Sequence, residues 1–114
     1  MSNNILQVIS PVDGKVYIER PYHYDIEIDQ ALTKAVQAQK EWKYTSLADR
    51  KVIMESFVKA FTDESDAISK ELSWQMGRPI QYAPGEVRGT EERALGMVDL
   101  ANNALKNIQV EEKD

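Results

Sequence analysis

The sequence has no cysteine, one histidine and no long apolar run. Without cysteine, these 114 residues hold no disulfide, no Cys-ligated zinc and no thiol nucleophile. The lone His23 leaves neither a Ser-His-Asp relay nor a His-rich metal site to assemble. No apolar stretch approaches the ~18 residues that a membrane span needs. The opening residues carry no basic leader region, so a cytoplasmic protein without a membrane partner is the expectation. Excess cationic charge is missing as well. A net charge of −5 argues against a phosphate backbone, so nucleic acid is not expected as a partner. What is present is 42% apolar and 29% charged residues. That is the composition of a folded chain, long enough for one unit over residues 1–114.

Two hydrophobic periods follow one another along the chain. In residues 5–20 the apolar positions Leu6, Val8 and Ile9, then Val16 and Ile18, read as two short strands. Ser10-Pro11-Val12-Asp13-Gly14 lies between them. Its proline presets φ and its Asp-Gly pair suits a hairpin turn. A lone hairpin is marginal in water and must pack on something larger. After Pro21 the period lengthens to that of a helix. Asp25 is the expected N-cap of a first helix whose face is Ile28, Ala31, Leu32, Ala35, Val36 and Trp42. Ser46-Leu47-Ala48-Asp49 has the form of a capping box and opens a second helix, facing with Ile53, Met54, Phe57, Val58 and Phe61. Thr62-Asp63 reads as a break or a fresh cap. A third helix, with Ile68, Leu72 and Met76, stops at Gly77 with Pro79 behind it. Residues 80–85 read as a connector. A fourth helix is predicted from about Glu86 to Lys106, with Val87, Ala94, Met97, Val98, Ala101 and Leu105 on its face. The fold class is therefore mainly α (α+β): an N-terminal β-hairpin followed by three or four amphipathic helices over residues 25–108. Residues 109–114 form a charged tail or linker.

Few residues invite a chemical role. His23, between two tyrosines in a connector, reads as a loop histidine rather than a general base, because no second histidine or acidic pocket accompanies it. Asp13-Gly14 and Gly77-Arg78-Pro79 lack the spacing of a phosphate-binding loop and read as turn and cap. Trp42 and Trp74 sit at helical spacing and read as core or interface anchors. Glu86, Glu91, Glu92 and Asp99 read as a solvated face; Glu91 and Glu92 are adjacent and diverge, so they make no ready metal pair. The lysines and arginines of the helices are interleaved with acids.

The order of motifs is more informative than any one of them. Pro11-Val12-Asp13-Gly14 comes first. The helix bearing Ala35-Val36-Gln37-Ala38-Gln39-Lys40-Glu41-Trp42 follows, then Leu47-Ala48-Asp49-Arg50-Lys51-Val52-Ile53-Met54, then Gly77-Arg78-Pro79. From residue 5 to 108 this order and spacing resembles the N-terminal segment of the NAD(P)-dependent aldehyde dehydrogenase superfamily. Ser10 stands where that family commonly has Asn, and Asp49 where it has Glu. The resemblance implies a partial aldehyde dehydrogenase fold, whose helices pack on a dinucleotide-binding domain and whose hairpin lies by the oligomerisation domain.

The resemblance also implies what these residues do not do. The family's nucleophilic cysteine, base glutamate, oxyanion asparagine and cofactor turn have no counterpart here, so no catalytic and no cofactor-binding residue is assigned. NAD or NADP belongs to the complete enzyme and is not expected on this chain alone. A monovalent cation held by family analogy falls at the backbone of Val8 or Ile9 and at Glu86. The expected partner is the remainder of an aldehyde dehydrogenase polypeptide or its subunits, with homo-oligomerisation open. On this reading the chain is a truncation, a fragment or a separately encoded piece, inactive alone, with apolar surface left over on its helices. The alternative is a stand-alone acidic helical interaction module. A helical DNA-binding protein is disfavoured by the charge.

Overall fold

The computed structural model describes residues 4–110. The element order is β1 (Ile5–Ile9), β2 (Val16–Pro21), α1 (Asp25–Trp42), α2 (Leu47–Asp63), α3 (Ser65–Met76) and α4 (Ala83–Ala104). Residues 106–110 follow α4 without regular structure, and the rest of the charged tail, 111–114, lies outside the described residues.

β1 and β2 pair antiparallel, Leu6 opposite Arg20 and Val8 opposite Ile18, with an irregularity between Val8 and Ile9. The turn between them closes through Gly14 N–H on the Ser10 carbonyl and Ser10 N–H on the Lys15 carbonyl, both 2.8 Å. Within this turn only Gly14 has positive φ (72°). The turn is thus longer than a two-residue Asp-Gly hairpin, and Asp13 serves through its side chain, which accepts from Lys15 N–H at 3.1 Å.

No third strand joins this pair among the described residues. The hairpin is held instead on α3. Ser10, 1% exposed, donates its hydroxyl to the Trp74 carbonyl at 2.6 Å and accepts from Val12 N–H at 3.2 Å. Tyr17 stacks on Trp74, with ring centres 5.6 Å apart, and donates to Glu71 at 3.1 Å. Desolvation at this contact, then the Glu71 carboxylate, raises the Tyr17 phenol above its ordinary pKa. Ser10→Ala removes one hydroxyl that serves two backbone groups. A destabilisation of about 1–3 kcal/mol is expected, read by urea titration of the helical signal at 222 nm. An unchanged midpoint would show that the hydroxyl does not hold the hairpin.

Helix termini explain most element boundaries. Ser46 caps α2, accepting from Asp49 N–H at 3.1 Å and donating to the Asp49 carboxylate at 2.6 Å. Glu64 separates α2 from α3. Gly77 ends α3 at φ 75°, where the αL conformation returns N–H groups to the Leu72 and Ser73 carbonyls.

Four boundaries differ from expectation. The break expected at Thr62-Asp63 falls at Glu64, because both residues continue α2: the Thr62 hydroxyl donates to the Lys59 carbonyl at 2.9 Å and Asp63 pairs with Lys59 at 2.7 Å. The α1 N-cap is Tyr24, not Asp25, which is the first helical residue. Glu27 reaches back to accept from Tyr24 N–H at 2.8 Å, so the reciprocal acid of a capping box fixes the start one residue earlier. α4 begins at Ala83, inside the expected connector, because Pro84 falls in its first turn, where its missing N–H costs no helical hydrogen bond. α4 then ends at Ala104 rather than Lys106.

α4 packs against α2 and α3. The small core is Val58 of α2 with Ala83, Val87 and Val98 of α4, joined by Ser69 of α3. Most predicted faces stay open. On α1 no residue is buried, and Leu32 is 60% exposed. Ile53, Met54 and Phe57 of α2 are likewise exposed. The accessible surface is 9989 Å², against roughly 6,300 Å² for a compact monomer of this mass. The radius of gyration is 20.4 Å, against about 13 Å for a compact domain of this length. The helices carry faces made to be covered, and this chain covers few of them.

Candidate functional site

The chemistry-bearing residues do not converge. His23 is exposed and lies 3.4 Å from Glu27 on the first turn of α1. Glu27 is held below the usual glutamate range, first by Tyr24 N–H and then by His23. A carboxylate with lowered folded pKa contributes stability above its ordinary value, near 4.5, and loses it as the pH falls through the folded value. The N-terminus of α1 is therefore expected to fray on acidification below about pH 4.5, with Glu27→Gln abolishing that step. An NMR pH titration of the Tyr24 amide checks this; identical profiles for the two chains would refute it.

Gly14 and Gly77 turn the chain, and neither opens a helix. Trp42 lies under the Arg50 guanidinium, 5.5 Å from the ring centre, and Trp74 under Tyr17. Both tryptophans anchor junctions between elements. Ile9 ends β1 and is half exposed, while Glu86 sits in the first turn of α4 and pairs with Arg78 at 2.7 Å. Among the described residues no three His, Cys, Asp or Glu side chains cluster as a metal site, Glu91, Glu92 and Asp99 included.

Two side chains carry more than the sequence reading gave them. Arg50 of α2 donates through Nη2 to the Trp42 and Lys43 carbonyls, each at 3.1 Å, and so closes the C-terminal end of α1 onto α2. Arg78 ties the α3 cap to the start of α4 through Glu86. No pattern in the sequence marks Arg50 for this role, because a cation on a helix face is indistinguishable from a solvated one until the fold brings the carbonyls to it.

A cleft of about 700 Å³ lies between α2 and α4. Its floor is Leu47, Met54, Ala94, Met97, Val98 and Ala101; Arg50, Lys51 and Arg93 stand at its rim with Glu86. An apolar floor with charged edges suits the seating of another polypeptide element rather than bond-making. A second cleft, about 620 Å³, lies between the hairpin and α3, with Val8, Phe61, Ile68 and Leu72 along it and Glu64 and Glu71 among its walls.

Comparison with known proteins agrees with this geometry. The sequence model of the Aldehyde dehydrogenase family matches residues 1–113. The chain is similar to a 3,6-anhydro-alpha-L-galactose dehydrogenase of Streptomyces coelicolor, 33% identical over 88 residues, covering 77% of this chain and 18% of that protein. It is also similar to a putative aldehyde dehydrogenase of Staphylococcus aureus, 25% identical over 112 residues, covering 98% of this chain and 23% of the other. The crystal structure of an aldehyde dehydrogenase from Bartonella henselae superposes with a TM-score of 0.83 at 21% identity, over 90% of this chain and 22% of that one. The chain belongs to the aldehyde dehydrogenase family and has the fold of its N-terminal segment. It spans about one fifth of the length of the curated relatives it matches. No helix among the described residues is long and apolar enough to cross a membrane.

Proposed function

We propose that these residues serve as the N-terminal helical segment of an enzyme that oxidises an aldehyde to a carboxylic acid with NAD or NADP, and that they catalyse nothing by themselves. The observation that carries this reading is the family match over residues 1–113 of a chain without a single cysteine. The family's chemistry runs through a cysteine thiolate, and no other residue here is placed to replace it. The segment's part is structural: α2, α3 and α4 present apolar faces on which the rest of the polypeptide packs.

The described residues do not fit a dinucleotide. The phosphates of such a cofactor call for a glycine-rich turn leading into a helix N-terminus, and neither Gly14 nor Gly77 supplies one. When bound to the complete enzyme the cofactor accepts the hydride; its binding residues are proposed to belong to the remainder of the polypeptide. The cation suggested by the resemblance at Ile9 and Glu86 also fits poorly. Arg78 holds one Glu86 oxygen at 2.7 Å, and a carboxylate beside a guanidinium is a weak cation ligand. No step is assigned to it. A cytoplasmic location is part of the same proposal.

The purified 114-residue chain, incubated with NAD or NADP and a panel of aldehydes, is expected to give no absorbance at 340 nm above the uncatalysed rate. Steady production of reduced cofactor by the chain alone would overturn the reading.

A further inference from the structure

We propose that the cleft between α2 and α4 seats an amphipathic helix whose apolar stripe is flanked by carboxylates, supplied by the rest of the aldehyde dehydrogenase polypeptide. The inference rests on the function proposed above and specifies the chemistry of one of the segments that cover this chain.

The charge around this cleft is unbalanced. Arg50, Lys51 and Arg93 border an apolar floor. Arg50 and Lys51 are already half-buried. Among the described residues, none of the three has a carboxylate within 4 Å. Arg50 spends one nitrogen on the Trp42 and Lys43 carbonyls, while its Nε is shielded from solvent without a partner. Glu86, the acid on the same rim, is engaged by Arg78. While the cleft is open, water solvates these cations. Once an apolar surface covers it, that water leaves, and a desolvated cation without a counter-charge is strongly unfavourable. The cover must therefore bring its own acids.

Shape sets the form of the cover. The cleft follows α4 from Glu86 to Ala101, about 22 Å of helix. That length matches a partner helix of roughly four turns lying in a groove. The cleft beside the hairpin is bordered by Glu64 and Glu71 instead, with no lysine or arginine along it. The preference for acids is thus local to the α2–α4 cleft and opposes the net charge of −5 of the whole chain.

Two labelled 16-residue peptides test this on the 114-residue chain. They share one leucine and alanine stripe and differ only in flanking glutamates or lysines. Fluorescence anisotropy at low salt is expected to show the glutamate peptide binding about ten-fold more tightly, with the advantage shrinking toward parity at high salt. Net charge alone predicts the reverse order. Lys51→Glu with Arg93→Glu is expected to switch the preference to the lysine peptide. Equal binding, a lysine preference on the native chain, or no binding of either peptide overturns the proposal. The native-chain comparison stands even if the double variant fails to fold. A chain that prefers neither peptide yet produces no reduced cofactor loses this inference and keeps the family reading.

Discussion

Gly77→Val is expected to detach the hairpin from α3 and to cost roughly 2–4 kcal/mol, the sum of a left-handed backbone and a steric clash. Gly77 has φ 75°, and a Cβ added there would lie 2.9 Å from Pro11 Cγ. The first contribution is conformational: a β-branched residue resists αL at every site. The second is specific to this fold, because the pyrrolidine ring is tied to its own backbone and a change of ring pucker moves Cγ only a little. The two can be separated. Asn tolerates αL, so Gly77→Asn retains mainly the clash, and Pro11→Ala in the same chain removes the Cγ that causes it. A double-mutant cycle over Gly77→Asn and Pro11→Ala should give a coupling of about 1 kcal/mol or more, measured by urea titration of the helical signal at 222 nm. Strict additivity would mean that the turn and the α3 cap are not in contact. The substitution matters beyond its local energy. The same junction holds Ser10 on the Trp74 carbonyl, so loss of the cap releases the hairpin, which has no third strand to join among the described residues.

Val87→Asp is the second change with a large expected effect. Val87 is 2% exposed and shares the inner face of α4 with Ala83 and Val98, against Val58 of α2. A carboxylate there has no cation to meet within a core of four apolar side chains. A loss of about 4 kcal/mol or more is expected. Marginal stability for a domain is 5–15 kcal/mol, and a chain with so much surface outside its core sits at the lower end. Val87→Asp should therefore leave the chain close to unfolding and lower its melting temperature by about 15 °C or more, followed at 222 nm. Val87→Ala, which only empties part of the site, should cost about 1–3 kcal/mol and leave the chain folded. A Val87→Asp chain with native helicity and an unshifted melting temperature would show that the α2–α4 contact does not organise the fold.

Much of this architecture is legible in the sequence, and the reasons differ by element. Asp13-Gly14, Ser46 with Asp49, and Gly77 followed by Pro79 are local signals: each stops or starts an element through its own backbone chemistry, and each does so in the structure. The early start of α4 has the same local origin. Pro84 reads as a breaker when seen alone, but the first turn of a helix is where proline is tolerated. Burial is less legible. Periodicity identifies Ile28, Leu32 and Val36 as one face of α1, and the structure keeps that face, yet leaves it exposed. A hydrophobic stripe states that a surface is to be covered and does not state which chain covers it. The long-range junctions were not readable at all. Ser10 on Trp74 and Arg50 on the end of α1 bring together residues whose separate patterns are those of an ordinary turn and an ordinary charged helix face. Family resemblance placed the chain correctly because it depends on the order of several weak motifs, and the match over residues 1–113 agrees with that order.

The leftover surface separates the two accounts of the chain. A self-contained interaction module would protect its own helices. A segment built to be packed upon would protect only what it packs internally. Hydrogen exchange on the isolated 114-residue chain measures this directly. The amides of α3 and α4 that surround Val87 and Ser69 should exchange orders of magnitude more slowly than those of α1, whose amides should exchange at close to the rate of an isolated peptide helix. Equal protection of α1 and α4 would contradict the account and identify a complete, independently folded module.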